Sequence, residues 1–592
     1  MRDVTKAFIG DVAHGTLVQL AGSLVDTAST TDNLNSLLVS GAGAGGVGLA
    51  GMVDVTMVDN TTIAGLYGLT LNPASSSTTT QDAAGDTVVD WTGGGRHLGT
   101  PAGDVTVTAA ETIAVNAEGG ALAGGGTAGG GASADAVMLQ STTRAEIDGS
   151  TISAAGHQVH VNATSDKAVR SFAATAAVGG SAGVSGTVGL ILIGQGSEGA
   201  GQGQIGGALA QAAGIGNQGG EGDNDPSIAA PGTLDSAASY DLTAALNAGS
   251  TDSVTAAISG GAVTAGLVSA TATAWVSTDN TAAAAALGGV AGVGGGVAFT
   301  RIYDDVAAAI TQAAISSDNV IVAATVADGT GGKAGVAHAY AGGGGLVGLG
   351  AGVADVLVTN QVTATMGSAT GSSDGDASVL ATDSSSLSST TAGGAVGAVA
   401  AGVMVSNAAK TSTVAASLAP PAGVVAATLS GYRNVSIKAS GSVGASATAV
   451  SGGLAAAGNA AAALASDADT VSARVGAGDV IATGAGLVYV AASDAPQVSA
   501  VAFGVSISGA WPSAPRSPPH RRRPRWWPMS ATAASSAATA AWACLPGPLR
   551  PARPTRCMRK PSREAARSWP RRTPRWRSRP MAAPSARWSA PA

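Results

Sequence analysis

Cysteine and aromatic side chains are scarce in residues 1–510 of this 592-residue chain. Both cysteines, Cys544 and Cys557, lie beyond this part, so no disulfide bond within it can stabilise its fold. A chain segment without cysteine tolerates any redox compartment, including the exterior of a cell. Of the nine tryptophans only Trp91 and Trp275 occur there, and catalysis by a Cys–His pair is excluded.

Charged residues are also few, and they are divided unevenly along the chain. Residues 1–510 contain 12 Lys and Arg against 36 Asp and Glu, a net charge of −24. Residues 511–592 contain 18 Lys and Arg and a single acidic residue, Glu564. The acidic balance of the first part argues against a specific nucleic-acid partner. Its high content of Val, Ile, Leu and Ala argues against disorder, which is typical of chains with few apolar side chains.

The chain shows no signal for secretion or for crossing a membrane as a helix. Its first residues, MRDVTKAFIGDVAHG, lack a basic segment followed by an apolar one, and they begin within a strand-like pattern. The uncharged run 282–299 approaches the length of a membrane span but consists mostly of Ala and Gly. Because the flanking sequence alternates with the period of a strand, we predict strands there rather than a transmembrane helix.

A short strand pattern, V-x-V-x-A, recurs along the chain from residue 1 to residue 510. Its apolar residues stand two apart and therefore share one face of a strand. The copies begin at Val105, Val159, Val268, Val320, Ala377, Val435 and Val488. The spacing between copies is nearly constant, except that the interval from Val159 to Val268 is close to twice the others. A Gly-rich segment keeps step with them, so the sequence indicates a solenoid of repeats of about 55 residues.

This period predicts an all-β fold, an elongated right-handed parallel β-helix (β-solenoid), over residues 1–510. A coil of three short strands needs roughly 18 to 20 residues, so each repeat is expected to form about three coils. A propeller has blades of similar length, but its aromatic blade signature is missing. Columns of Val, Ala and Gly suit the interior of a stacked helix, and TTDN (30–33) and STDN (277–280) suit its corners.

Two segments interrupt the pattern. Residues 196–247 replace a strand where one repeat should continue, which explains the doubled interval. We interpret this irregular insertion as a loop or lateral excursion. Residues 70–99 form a smaller candidate of the same kind.

The repeat stops at Trp511, where the composition also changes. Residues 511–592 hold 16 of the 23 prolines and seven of the nine tryptophans. We hypothesise that they are an out-of-frame translation, because the codons of WWPM (526–529) in the frame that starts one base earlier can encode the body-like sequence Val-Val-Ala-Asp. Resequencing the codons for Gly509 to Trp511 tests this hypothesis. If the tail is a true product, its composition predicts disorder and nonspecific affinity for anions.

The alternation of Gly/Ala-rich blocks with V-x-V-x-A strands resembles the repeat regions of large secreted bacterial adhesins, the filamentous-haemagglutinin-like and leukotoxin-like β-strand-repeat proteins. The resemblance covers residues 1–510 and depends on the style of the repeats. It implies secretion through an outer-membrane partner, a right-handed parallel β-helix at the cell surface, and attachment to a receptor or polysaccharide. Because the family's secretion domain and anchor have no counterpart here, the resemblance also implies a fragment of a longer protein.

Candidate chemical sites are weak, and we predict no catalytic, cofactor-binding or metal-binding residues. The G-x-G-x-x-G matches at Gly46 and Gly201 are expected by chance among 87 glycines. His157 and His160 point to opposite faces if they lie in a strand. Asp223 and Asp225 in GGEGDND resemble a single calcium-binding repeat, which cannot form a stacked site alone.

The densest polar cluster is RIYDD, residues 301–305. Some β-helix enzymes cleave polysaccharides with carboxylates and Arg on one exposed face, so a polysaccharide-cleaving enzyme is an alternative that requires a groove around Asp304 and Asp305. A structural surface-layer or biofilm matrix protein is a third hypothesis. Corresponding polar residues in other repeats favour solvated corners instead, and we predict an adhesin rather than an enzyme.

Overall fold

The computed structural model describes residues 1–11, 15–18, 20, 22–71, 77–81, 87–91, 103–194, 252–418, 427–476, 478–483 and 486–507. All of them belong to one compact unit, Met1–Trp542. The predictions for the insertion at 196–247, for most of 70–99 and for the tail at 511–592 lie outside the described residues. Within the part of the chain that is described, no helix has the length and apolar character needed to cross a membrane.

The described residues form 28 strands, which confirms the all-β prediction. Twenty-six of them belong to one large sheet whose pairings are parallel, and β6 and β7 form a separate antiparallel pair within the predicted excursion at 70–99. The strands are β1 (Arg2–Gly10), β2 (Thr16–Val18), β3 (Leu24–Ala44), β4 (Val47–Tyr67), β5 (Leu69–Leu71), β6 (Ser77–Gln81), β7 (Thr87–Trp91), β8 (Val105–Gly125), β9 (Ala128–Asp148), β10 (Thr151–Gly179), β11 (Ala182–Ile193), β12 (Asp252–Ser259), β13 (Ala262–Gly288), β14 (Ala291–Ile302), β15 (Asp304–Thr311), β16 (Ala314–Asp328), β17 (Gly335–Gly344), β18 (Val347–Val358), β19 (Gln361–Met366), β20 (Ala369–Thr370), β21 (Asp376–Asp383), β22 (Ser386–Lys410), β23 (Thr413–Leu418), β24 (Thr428–Ser430), β25 (Asn434–Asp467), β26 (Thr470–Val475), β27 (Val480–Ala482) and β28 (Val488–Ile507).

One repeat of the sequence forms one complete coil of the solenoid. Val105 in β8 pairs with Val159 in β10, and Val268 in β13 pairs with Val320 in β16, so the first residues of consecutive copies of the pattern are direct neighbours. Val159 also pairs with Val268, so the coil that contains the insertion, between β11 and β12 on its second side, remains in register with the next coil. The expectation of about three coils per repeat is therefore wrong.

The coil is large because two of its three sides are long. In the coil that begins at β8, the first side is β8 and the second is β9, each 21 residues long, whereas strands usually have five or six residues. The third side is short and consists of Thr151–Ala154 at the start of β10. Glycine turns join the two long sides: a Cβ atom on Gly126 would lie 2.1 Å from the carbonyl oxygen of Gly45 in the neighbouring coil.

The interior contains two apolar layers. The larger layer lies where all three sides meet and includes the V-x-V-x-A residues, such as Val105, Val107 and Ala109, all with 0% exposure. The second layer lies between the long sides and includes Ile113 and Leu139. Burial of each such Val, Leu or Ile side chain contributes about 1.5–3 kcal/mol, so these columns supply the main stabilising free energy.

Two of the predicted corners and the uncharged run at 282–299 are found within strands. TTDN lies inside β3 and STDN inside β13, so the expectation of corners there is wrong. The side chain of Asn280 points inward and donates hydrogen bonds to the carbonyl oxygens of Gly189 and Phe299 at 3.1 and 2.7 Å. The run at 282–299 forms the end of β13 and the start of β14, as the strand periodicity predicts.

Candidate functional site

The glycine and histidine motifs do not form binding sites in the described residues. Gly46 lies in the turn between β3 and β4, so a strand follows it where a dinucleotide site requires a helix. His157 Nδ1 lies 3.7 Å from Asp104 Oδ1, while His160 hydrogen-bonds to Gln158 and Ser269. The two histidines thus have separate partners. Gly201, Asp223 and Asp225 lie outside the described residues.

The RIYDD cluster is divided between the inside and the outside of the solenoid. Asp304 is 1% exposed and its Oδ1 lies 3.2 Å from Nζ of Lys167, whereas Asp305 is the next residue and faces outward. Arg301 is engaged by Asp355 on the next coil. Because neighbouring strand residues point to opposite faces, the carboxylates of Asp304 and Asp305 do not converge on one groove.

A column of buried polar side chains separates the two apolar layers. It occupies the same position on the second side of successive coils, where the register aligns Asn60, Ser141, Asp252, Asp304, Asn360, Ser412 and Asp469. Buried polar groups require partners, and most of these side chains are hydrogen-bonded or ion-paired across the interior. The column is a structural feature that the repeat pattern alone does not predict.

Lys167 neutralises part of this column. Its side chain is fully buried, pairs with Asp252 and lies 3.2 Å from Asp304. Burial alone would lower the pKa of Lys167, but the carboxylates of Asp252, Asp304 and Glu111 together raise it. One lysine cannot neutralise three carboxyl groups, and burial raises the pKa of Asp252 well above its usual range. The cluster therefore holds a charged lysine, and Asp252 keeps its proton to a higher pH than an exposed aspartate does.

Lys410 repeats this arrangement further along the solenoid. Its Nζ lies 3.2 Å from Asp383 and 3.1 Å from Asp469, and all three side chains have 0% exposure. Beside it, Asp467, Asp469 and Asp494 form the one group among the described residues whose spacing would suit a metal ion. Burial and the neighbouring carboxylates raise the pKa of Asp467 to about 6. Of this group, Asp469 already has Lys410 as its counterion.

Asp135 is a buried acid whose ionisation makes the stability of the protein depend on pH. It is 1% exposed, accepts a hydrogen bond of 2.7 Å from Ser171, and lies beside Asp54 of the preceding coil. Burial raises its pKa to about 6. The folded protein therefore binds this proton more tightly than the unfolded chain does, and stability falls as the pH rises from about 4 through about 6.

We expect Asp135→Asn to stabilise the protein above pH 7 by about 2 kcal/mol, because asparagine replaces the carboxyl group without an ionisation cost. Near pH 4 the variant and the parent should have similar stability. Urea unfolding at pH 4.5 and pH 8 measures the difference. The exposed Asp59→Asn serves as the control, and an equal effect of Asp135→Asn at both pH values would refute the assignment.

The outer face of the first side carries a continuous apolar strip. The strip comprises three outward columns that begin at Val39, Gly41 and Gly43 and continue in register on each following coil to Val450, Gly452 and Leu454. All of its members are Gly, Ala, Val, Leu or Tyr. At about 4.8 Å per coil, it extends about 29 Å along the solenoid axis.

Several large side chains of the apolar strip are exposed to solvent. Leu122 is 60% exposed, Leu287 58% and Val396 55%. Between them, Gly120, Ala174 and Ala283 help to line a shallow groove of about 550 Å³. Contiguous apolar patches of this extent mark interaction surfaces. The apolar strip is therefore the strongest candidate for a functional surface on the described residues.

No protein-family model, no curated protein and no solved structure matches this chain.

Proposed function

We propose that this chain is a fragment of a bacterial surface or secreted adhesin, and that its solenoid provides a long repetitive surface for attachment to cells or matrix. The observation that carries the proposal is the apolar strip, in which exposed side chains recur in register on successive coils. Many weak contacts along such a surface sum to strong attachment when they are made together. The resemblance of the repeats to secreted adhesins supports the same function, with export through an outer-membrane partner.

The observations favour attachment over the enzymatic alternative. A polysaccharide-cleaving site around Asp304 and Asp305 would need both carboxylates on one surface, and these two point to opposite faces. A matrix protein that associates with itself would use the apolar strip in the same physical way as an adhesin. The two are distinguished by whether the protein binds cells or binds copies of itself.

We expect beads coated with the full chain to attach saturably to at least one surface in a panel of bacterial cells, animal cells and extracellular matrix. Replacing Leu122, Leu287 and Val396 together with aspartate should reduce attachment about tenfold or more, because charges on the apolar strip oppose its desolvation. Flow cytometry of labelled beads measures this effect.

The matched control replaces three apolar residues outside the strip with aspartate: Val25, Leu49 and Ile321, which are 66%, 51% and 38% exposed. This variant should attach like the parent. Self-association of the beads without binding to any cell or matrix would favour the matrix protein. Equal losses in the two triple variants would contradict a role for the apolar strip.

A further inference from the structure

A polar trough lies beside the apolar strip on the same outer face. Its floor is a column of short side chains that runs across four coils: Asn33, Ala114, Ala168 and Ser277. Longer side chains stand on both sides of this floor, and the trough encloses about 480 Å³. Gly331, in the turn after β16, lies over Ser277 and closes one end. The trough therefore runs along the solenoid axis, perpendicular to the strands.

An exposed tryptophan stands beside the floor of the trough, next to the residues that line its volume. Trp275 stands two residues before Ser277 on β13, aligned with Asp166 of the preceding coil, and it is 38% exposed. The large apolar ring of tryptophan gains free energy when it leaves water, and its N–H group can donate a hydrogen bond. A ligand with an apolar face and polar edges suits both properties.

The opposite wall carries side chains that donate and accept hydrogen bonds. Arg170 and Asp279 are register partners there, with Asn116 on the coil before them. Arg170 Nε lies 3.9 Å from Asp279 Oδ2, which is too long for a hydrogen bond, and the two side chains are 60% and 50% exposed. This pair can therefore offer a donor and an acceptor to a ligand in the trough.

We propose that the trough binds an uncharged polysaccharide, whose chain follows the solenoid axis with a sugar ring against Trp275 and hydroxyl groups on Arg170 and Asp279. A linear chain suits a site that extends along the solenoid axis across four coils. An anionic chain is disfavoured because the outer face here carries three carboxylates, those of Asp166, Asp279 and Glu118, and the single Arg170. The inference rests on the proposed attachment function and names its ligand class.

The test measures retention of the full chain in native gels that contain a soluble glucan, galactan or mannan, with polygalacturonate as the acidic comparison. We expect at least one neutral polysaccharide to retard the protein saturably. Trp275→Ala and Asp279→Ala should each weaken this binding about tenfold or more. Tyr489→Ala should leave it unchanged, since Tyr489 is 50% exposed but lies outside both the trough and the apolar strip.

Three results would overturn the inference: no retardation by any neutral polysaccharide, retardation by polygalacturonate that Trp275→Ala abolishes, or equal binding of neutral polysaccharide by Trp275→Ala and the parent. Far-UV circular dichroism confirms that each variant keeps its strand content. If Trp275→Ala loses polysaccharide binding but beads still attach through the apolar strip, both proposals stand as separate contacts. If the parent chain attaches to cells or matrix but binds no polysaccharide, the inference about the trough is wrong and the proposed function stands. If the parent chain attaches to no surface at all, the proposed function is wrong.

Discussion

Lys167→Met should lower the free energy of unfolding by about 3–5 kcal/mol, since removal of one partner leaves buried charge without compensation. The side chains of Lys167, Asp252 and Asp304 are at most 1% exposed, so water cannot replace the lost ammonium group. The carboxyl groups must then hold their protons or disrupt the coil. Urea unfolding at pH 7, followed by circular dichroism, measures the loss.

Two further variants separate loss of charge from loss of packing. Arg433→Met removes an ion pair with Asp376 whose side chains are 53% and 48% exposed, and it should cost less than about 1 kcal/mol. Adding Asp252→Leu, Asp304→Leu and Glu111→Gln to Lys167→Met should restore much of the stability, because the replaced cluster then has no buried charge without a partner. If Lys167→Met lowered the free energy of unfolding as little as Arg433→Met does, the ion pairs of the Lys167 cluster would be hydrated and would contribute little to stability.

Deletion of residues 320–376 should remove one coil and leave the solenoid intact. Val320 pairs with Ala377, and Val268 pairs with Val320, so the shortened chain brings Ala377 to the place of Val320. Because a solenoid is stabilised mainly by contacts between neighbouring coils, the remaining coils should keep their structure. The expected result is the same strand signal per residue and a similar midpoint of urea unfolding.

Deletion of one third of the same repeat, residues 320–338, is the informative counterpart. A helix with three coils in each repeat would tolerate this change, because it would lose one small coil. In the observed solenoid the deletion removes most of the first side and displaces every later partner from its neighbour. We expect the protein that lacks residues 320–338 to lose cooperative unfolding, and the protein that lacks residues 320–376 to retain it. If both shortened proteins unfolded cooperatively, the assignment of one coil to each repeat would be wrong.

The sequence predicts the composition of the core well but not the size of the coil. The alternation at Val105, Val107 and Ala109 identifies inward positions, and all three are fully buried. The long strands continue through Gly and Ala, as in β9, where side chains on the two faces differ little and the ends of strands cannot be recognised. A prediction that uses ordinary strand lengths therefore divides one coil into three.

The ionic clusters were missed although part of their signal is present. Lys167 follows Val159, Val161 and Ala163 at even spacing, so its place on the inward face can be read from the sequence. Its partners cannot, because Asp252 and Asp304 lie 85 and 137 residues away and the pairing crosses the insertion. Only the register of the coils brings them together. The polar trough has the same origin, since its floor joins residues from four separate repeats.

A pair of cysteines can test the register of the coils most directly. Ser388 and Ser446 are partners on adjacent coils, 58 residues apart, and their hydroxyl oxygens lie 3.2 Å from each other. Such neighbours are close enough for a disulfide bond. With Cys544 and Cys557 replaced by serine, Ser388→Cys/Ser446→Cys should cross-link on mild oxidation, as detected by mass spectrometry. Asn407 lies one third of a repeat after Ser388, and a cross-link in Ser388→Cys/Asn407→Cys instead would contradict a coil of one whole repeat.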